Sequence, residues 1–233
     1  LEMFAGTPRL NDWYYSKFRD RVSGDVLELG SGIGNISRLL ARDARTLMAT
    51  DVEDEYLDAL RQEFASTDHV SVARFDLESP PPAAVAERQY DVVISMNVIE
   101  HVHDDLGAVR ALAKLLRPGG WMLTYVPACN WAFSAMDQNL GHHRRYSTRS
   151  FERLLKGADL EVERLEYMNL LGLFGWWVNG KLLRKQTTDE RQVRTFERLV
   201  PFVRLEDHLR VPVGLGVVAH ARKPLHTSPT SPG

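Results

Sequence analysis

The chain has 233 residues, of which 44% are hydrophobic and 26% are charged, and this predicts one α/β domain with a substantial core. A formal net charge of −2 supplies no positive field for nucleic acid, and a single cysteine, Cys129, excludes an internal disulfide. No secretion signal and no apolar run of membrane-spanning length is recognised, so we expect a cytoplasmic protein without stable membrane insertion.

The first predicted element is an amphipathic helix over residues 10–21. Trp13, Tyr14 and Phe18 recur there at helical spacing, which is typical of side chains that pack against a core.

An apolar strand ends next at three glycines that are spaced by one residue, and a helical pattern follows (residues 26–42). Glycine permits positive φ and close approach of a ligand, and a helix N-terminus adds unpaired N–H groups. A dinucleotide fingerprint requires a further glycine where Asn35 stands. Glu28, a carboxylate within the apolar strand, suits a cationic ligand better than a pyrophosphate.

Two further strands end in acids. The second, residues 46–50, precedes Asp51, which lies about twenty residues after the first glycine, where α/β nucleotide sites place the carboxylate that binds ribose hydroxyls. The alternative is that Asp51 caps the helix that follows. The third strand, residues 70–75, precedes Asp76 and Leu77, and the alternative there is an acid before a turn.

The fourth and fifth strands are predicted at residues 90–95 and 121–127, with a helix at 105–116 between them. The residues Arg117-Pro118-Gly119-Gly120 are expected to terminate that helix. His101 and His103 precede two acids, but acids at a helix start are favoured by the helix dipole, so no metal site is expected.

Regular alternation of strands and helices predicts a parallel, doubly wound α/β sheet with helices on both faces. Ligands of such sheets bind beyond the carboxyl ends of the strands. The glycine turn and the residues that follow each strand are all expected at this edge.

Three motifs carry a family resemblance. The E-x-G-x-G-x-G pattern from Glu28, the V-x-E-H sequence from Val98 and the L-x-P-G-G sequence from Leu116 resemble the class I S-adenosylmethionine-dependent methyltransferases. The resemblance implies a Rossmann-like, mostly parallel seven-stranded sheet, with a helical insertion before an antiparallel last strand at the sheet edge. It implies S-adenosylmethionine as cofactor and S-adenosylhomocysteine as product. The cofactor-binding residues that it implies are Tyr15 (with Tyr14 as the alternative), Glu28, Gly30, Ser31, Gly32, Gly34, Asn35, Asp51, Val52, Asp76, Leu77, Met96 and Asn97.

The segment that follows the fifth strand, residues 128–147, shows no clear periodicity and is predicted to be a functional lid. Its G-H-x-R-R-Y-S sequence resembles a bacterial subgroup of class I methyltransferases. Adjacent histidines are poor ligands of one ion, so a zinc site is rejected here as well. The candidate catalytic residues are His142, His143, His101, Tyr146 and Arg145, with the histidines as bases and Arg144 or Arg145 as partner of an anionic substrate.

The remaining chain is predicted to contain a strand at 160–168, an insertion at 170–210 and a last strand at 215–222. A helix at 196–204 is expected to break at Pro201. The apolar patch at residues 170–185 has three interpretations, which are packing over the substrate pocket, a dimer face and shallow membrane contact. Residues 1–222 are predicted to form one domain, with 128–147 and 170–210 on the substrate side, and residues 223–233 to be a disordered tail.

The predicted function is biosynthetic methyl transfer to an oxygen or nitrogen of a small-molecule metabolite, such as a natural product. A sugar or glycolipid acceptor is the alternative within this class. An NAD-type oxidoreductase and a non-catalytic cofactor-binding module are the alternatives outside it. The expected state is a monomer or a homodimer.

Overall fold

The structure, a computed structural model, describes residues 7–185 and 190–225, so the tail predicted beyond residue 225 lies outside the described residues. The seven strands are β1 (Asp25–Leu29), β2 (Thr46–Asp51), β3 (Val70–Arg74), β4 (Tyr90–Met96), β5 (Leu116–Pro127), β6 (Glu161–Met168) and β7 (Gly216–Arg222). The helices are α1 (Pro8–Ser16), α2 (Ser37–Asp43), α3 (Asp54–Glu63), α4 (Ala83–Ala86), α5 (Asp105–Leu115), α6 (Ala135–Asn139), α7 (Thr148–Gly157), α8 (Leu170–Trp177) and α9 (Glu190–Val203). Short 3-10 turns lie at Arg19–Arg21, Ile99–His101, Asn130–Ala132 and Arg204–His208, and a π-helical turn lies at Val178–Leu182.

The strands form one seven-stranded sheet in the order β3-β2-β1-β4-β5-β7-β6. Strands β1 to β5 pair in parallel, and β7 pairs antiparallel with β5 on one side and β6 on the other. The predicted mostly parallel, doubly wound sheet with an antiparallel last strand and a helical insertion before it is confirmed.

Alternate residues of the central strands pack on opposite faces of this sheet. Val26 packs with side chains of α1, α2, α3 and α9, whereas its neighbour Leu27 packs with side chains of α4, α5 and α7. A strand that is apolar at consecutive positions is therefore buried on both sides, as a central parallel strand requires.

Three predictions about the second half of the chain are wrong. The last strand is not at the sheet edge, because β7 inserts between β5 and β6. The helix α5 ends at Leu115, just before Arg117-Pro118-Gly119-Gly120 as predicted, but the fifth strand begins at Leu116 and not at residue 121, because Leu116 pairs with Tyr90 of β4 and Gly119 and Gly120 exchange backbone hydrogen bonds with Lys223. These bonds also tie down the first residue of the expected tail. Finally, α9 runs through Pro201, and Val200 and Val203 on either side of it are buried in the core against α1.

Every helix within residues 7–185 and 190–225 is too short or too polar to span a bilayer.

Candidate functional site

The glycine turn after β1 has a backbone that side chains would obstruct. Gly30, Gly32 and Gly34 have φ angles of 66°, 53° and 84°, which lie in the left-handed region that glycine tolerates. A Cβ on Gly30 would meet the Cγ2 atom of Val98 at 2.4 Å. The conformation of this turn therefore requires glycine at position 30.

Glu28 lies under this turn. The residue is 4% exposed, and its carboxylate accepts hydrogen bonds from the hydroxyls of Ser31 at 2.8 Å and Ser37 at 2.5 Å. Burial raises the pKa of Glu28 to about 7, although both serine hydrogen bonds oppose the rise. The group therefore sits near the midpoint of its titration at neutral pH, so a cation nearby would readily ionise it.

Asp51 connects the glycine turn to the end of β2. Its Oδ2 atom accepts a 2.8 Å hydrogen bond from the Gly32 N–H, and its Oδ1 atom accepts bonds from the N–H groups of Val52 and Glu53. The N-cap of α3 is Glu53, so the capping interpretation of Asp51 is wrong. The buried carboxylate holds the turn and retains further lone pairs for a ligand.

The other residues predicted to bind the cofactor follow β3 and β4 at the same edge of the sheet. Asp76 and Asn97 are exposed there, and Leu77 and Met96 are half-buried. Asn97 has a φ of 54°, and its N–H donates to the carbonyl of Tyr125 in the neighbouring strand. Ser31 and Val52 adjoin the glycine turn and Asp51, and Asn35 is half-buried just before α2.

Tyr15 does not share this edge. Its hydroxyl donates to the Asp43 carboxylate at 2.6 Å, and Asp43 ends α2 next to the amino end of β2. The hydroxyl of Tyr14 instead accepts from the side-chain amide of Asn169 and approaches the Tyr125 hydroxyl. Since Asn169 directly follows β6, at the same edge as the carboxyl ends of β1 to β5, the structure favours Tyr14 over the predicted Tyr15.

A second group of polar side chains lies at the same edge, after β4 and β5. Glu100, His101 and His142 place one potential ligand atom each within 4.8 Å of one another, and we call them the Glu-His cluster. The Nε2 atom of His142 is 3.8 Å from a carboxylate oxygen of Glu100. The rings of His101 and His142 meet edge to face at 4.8 Å.

Glu100 is fully buried, and neither of its carboxylate oxygens has a hydrogen-bond partner among the described residues. Burial accordingly raises the pKa of Glu100 to about 8. Burial and the neighbouring His142 lower the pKa of His101. Both shifts favour the uncharged forms of these groups in the protein as described.

Asp137 holds the ring of His142 in place through a hydrogen bond. Its Oδ1 atom accepts from His142 Nδ1 at 3.0 Å and from Arg145 Nε at 2.7 Å. Burial alone would raise the pKa of the Asp137 carboxyl, but the hydrogen bond from His142 and the charge of Arg145 keep it below its usual value. The ring of Trp176, from α8, lies 4.8 Å from the guanidinium of Arg145.

Two of the predicted catalytic residues are held in structural contacts. Arg145 is 3% exposed and donates to Asp137 and to the carbonyl of Ala128, so it has no free face for a substrate anion. Tyr146 is buried against Phe151, and its hydroxyl donates to the Asp105 carboxylate.

His143 and Arg144, the other two residues predicted to act on the substrate, lie outside the Glu-His cluster. His143 is exposed and stacks on His103 with ring centroids 3.8 Å apart. Arg144 is paired with Asp105. Of the predicted catalytic residues, only His101 and His142 meet in the Glu-His cluster.

The predicted lid, residues 128–147, is packed rather than loose. Ala128 and Tyr146 form a β-bridge, and Ser134 and Asp137 form a capping box at the start of α6. Sequence reasoning missed Asp137 and gave Glu100 no role. The available signal was the Ser134-x-x-Asp137 spacing of a capping box.

The apolar patch at residues 170–185 has two sides. Leu173 is buried in the core and Trp176 covers the Asp137–Arg145 pair, which agrees with packing over the site. Leu170, Leu171, Phe174 and Trp177 on the same helix are exposed.

Comparison of the sequence with known proteins gives a consistent result. The sequence model of a family described as "Methyltransferase domain" matches residues 5–165. A probable S-adenosylmethionine-dependent methyltransferase of Mycolicibacterium smegmatis is 31% identical over 171 residues, which are 71% of this chain and 62% of the relative. A ubiquinone biosynthesis O-methyltransferase of Nitrosospira multiformis is 35% identical over 104 residues, which are 44% of this chain and 43% of the relative. The chain thus spans between about two fifths and three fifths of the length of these relatives.

Comparison of the structures agrees on the fold. The N-methyltransferase NodS of Bradyrhizobium japonicum, crystallised with S-adenosyl-L-homocysteine, superposes with a TM-score of 0.61 over 95% of this chain and 90% of its own, at 15% identity. At this identity the likeness concerns the fold alone.

Proposed function

Since the chain belongs to the family of S-adenosylmethionine-dependent methyltransferases, we propose that it transfers a methyl group to an oxygen or nitrogen of a small-molecule acceptor, with oxygen favoured. The observation that carries this proposal is the convergence of two groups at one edge of the sheet. Glu28, the glycine turn and Asp51 lie at the carboxyl ends of β1 and β2, and the Glu-His cluster follows β4 and β5. Cofactor and acceptor groups would therefore face each other across neighbouring strands.

The residues after β1 and β2 fit the cofactor chemically. S-adenosylmethionine carries a positive sulfonium and an ammonium group, and Glu28 is a buried carboxyl whose ionised form a nearby cation would favour. The left-handed Gly30 and its neighbours leave the backbone open to close approach. Asp51 has lone pairs for a ribose diol, and we assign Asp76, Leu77, Met96 and Asn97 to the adenine and methionine parts.

When bound, the cofactor supplies a methyl group on a positively charged sulfur, and the electron pair of the broken carbon–sulfur bond remains on that sulfur. The protein aligns the acceptor with this methyl group and receives the proton of the acceptor. Asp137 binds His142 Nδ1, which directs Nε2 toward Glu100 and makes it the atom that accepts a proton. The relatives named as O-methyltransferases support oxygen as the acceptor atom. A sugar or glycolipid hydroxyl is the alternative acceptor.

Cofactor binding is tested with calorimetric titration of S-adenosylmethionine into Asp51→Asn. The substitution removes the negative charge that binds the diol and keeps one acceptor oxygen for the turn. Loss of a hydrogen bond to a charged group predicts affinity about tenfold weaker or more. Asp54→Asn is the control, because Asp54 is 84% exposed in a surface ion pair. Equal affinity of the wild type and Asp51→Asn would place the diol elsewhere.

Proton transfer is tested with two neighbouring histidines. His142→Gln should lower turnover about 10²-fold or more, with unchanged affinity for S-adenosylmethionine. His143→Gln is the matched control, because its ring is exposed and stacks on His103. Similar turnover in both variants would remove His142 from the reaction. Absence of methyl transfer by the wild type to every oxygen and nitrogen acceptor of a metabolite library would overturn the proposal.

A further inference from the structure

We propose that Glu100, His101 and His142 together bind a divalent transition-metal cation such as Zn²⁺, and that this cation binds the acceptor oxygen. The second half of the proposal rests on the proposed methyl transfer. The first half does not, and it can be tested without any turnover.

The spacing of the three side chains is close to that of a ligand set. Their donor atoms lie within 4.8 Å of one another, and the Glu100 and His142 atoms are 3.8 Å apart. Two ligands at about 2.1 Å from one zinc ion are separated by about 3.4 Å in tetrahedral geometry. Side-chain rotations that shorten the widest separation by about 1.4 Å would bring all three to bonding distance.

Glu100 provides a second observation that points to a ligand and does not depend on the spacing. It is fully buried, and both of its oxygens are without a hydrogen-bond partner among the described residues. A buried carboxylate without partners is strongly disfavoured, and metal coordination is one of the arrangements that stabilise it. The nearest guanidinium, that of Arg145, is already bound to Asp137 and to the Ala128 carbonyl.

His142 is oriented as metal ligands commonly are. A ligating histidine usually donates its second ring N–H to a carboxylate or a backbone carbonyl, which fixes the tautomer and leaves the other nitrogen for the metal. His142 uses Nδ1 for Asp137, which leaves its Nε2 atom, on the side of Glu100, for the metal. Asp137 is itself held by Arg145, the Ser134 N–H and Trp176.

The donor set indicates the class of metal. Two imidazoles and one carboxylate suit zinc or iron(II) and leave coordination positions open, whereas magnesium prefers oxygen ligands alone. Methyl transfer needs no change of oxidation state, so a redox-inactive ion suffices. A hydroxyl of the acceptor at an open position would lose its proton to water, because the cation lowers its pKa. His142 would then be a ligand instead of the proton acceptor, while the role of the cluster in acceptor binding is unchanged.

The experiment titrates the whole, chelator-treated chain with ZnCl₂ by calorimetry and with CoCl₂ by visible absorption. We expect one equivalent of Zn²⁺ to bind, visible bands of a low-coordinate cobalt site, and much weaker binding of Mg²⁺. His142→Gln and His101→Gln should each lose this binding, and Asp137→Asn should weaken it about 10- to 100-fold. His143→Gln should bind as the wild type does.

Binding of S-adenosylmethionine, measured by the same calorimetry, reports whether each variant is folded. If His142→Gln or Asp137→Asn is not folded, His101→Gln tests the Glu-His cluster in its place. A folded wild type that binds no Zn²⁺ or Co²⁺ overturns the cation proposal and leaves the proposed methyl transfer untouched. Zinc binding that survives in His101→Gln and His142→Gln but is lost in His143→Gln moves the site to the His103–His143 pair and overturns the assignment. Intact zinc binding without methyl transfer would contradict the proposed function and leave the metal site in place.

Discussion

Replacing Arg145 with methionine should destabilise the fold rather than weaken acceptor binding. The Arg145 side chain is 1% exposed and its Nε atom is 2.7 Å from the Asp137 carboxylate, which is itself fully buried. The guanidinium also donates to the Ala128 carbonyl at 2.9 Å. The variant keeps the apolar volume of the side chain and removes both bonds and the charge.

The size of the effect follows from what Asp137 retains. Removing one partner of a buried ion pair typically costs about 3–5 kcal/mol, because the other charge is left unpaired. Asp137 keeps hydrogen bonds from the Ser134 N–H, His142 and Trp176. We therefore expect the lower end, about 3 kcal/mol, which corresponds to a fall of about 6–12 °C in the midpoint of thermal unfolding for a chain of this size.

Urea denaturation followed by circular dichroism measures this loss, and the adjacent arginine is the control. Arg144 also pairs with a carboxylate, that of Asp105, at 2.7 Å, but its side chain is 30% exposed. Partly exposed pairs contribute about 0–1 kcal/mol, so Arg144→Met should be nearly as stable as the wild type. An Arg145→Met protein within 1 kcal/mol of the wild type, with a raised acceptor KM, would refute this reasoning and restore Arg145 as a substrate ligand.

Three further outcomes are expected. Gly30→Ala should destabilise the turn and weaken S-adenosylmethionine binding in a calorimeter, because its φ is 66° and the new Cβ meets Val98 at 2.4 Å; unchanged affinity would mean that the turn tolerates a side chain. The folded pKa of Glu28, about 7, exceeds the usual 4.5, so the folded chain retains a proton that the unfolded chain releases between these values. The unfolding free energy from urea titrations should therefore fall as pH rises from 4.5 to 7, and it should fall less steeply in Glu28→Gln, in which Glu100 still contributes a slope of the same sign; an equal slope in the two proteins would assign it to groups other than Glu28. Tyr15→Phe, which removes only the hydrogen bond to Asp43, should lower stability by about 1 kcal/mol and leave the affinity for S-adenosylmethionine unchanged; a large loss of affinity would return Tyr15 to the cofactor site.

The positions of the proposed cofactor residues in the fold were largely predictable because they depend on strand ends. Glu28, the glycine turn and Asp51 follow from hydrophobic runs that stop at recognisable residues, and parallel strands bring such stops to one edge. Their mutual hydrogen bonds were not predictable in detail. That Asp51 holds the N–H of Gly32 depends on the register of β1 against β2.

The environment of the residues after β4 and β5 was less predictable. The partners that bury these residues are distant in the sequence or lie where no hydrophobic pattern predicts burial. Arg145 stands in a run of polar residues that is typical of a solvated loop, yet Asp137, in a helix of only five residues, draws it into the interior. Tyr14 and Tyr15 differ by one position on a helix, and only the location of Asp43 and Asn169 distinguishes them. The place of β7 between β5 and β6 is a property of the topology that hydrophobic patterns do not encode.

This place of β7 has a consequence for the order in which the chain folds. Among the residues that the structure describes, β6 pairs in the sheet with β7 alone, so β6 cannot join the sheet until residues 216–222 have been synthesised. The N–H of Ala128, at the start of the predicted lid (residues 128–147), also donates to the carbonyl of Leu215 just before β7. The pairing of β5 with β7 closes a long loop, which is slow, whereas β1 to β4 make their contacts with neighbours nearer in the chain. In pulsed hydrogen exchange during refolding, the amides that join β1, β2 and β4 should be protected before those that join β5 to β7, so that the strand ends with the proposed cofactor residues are ordered first.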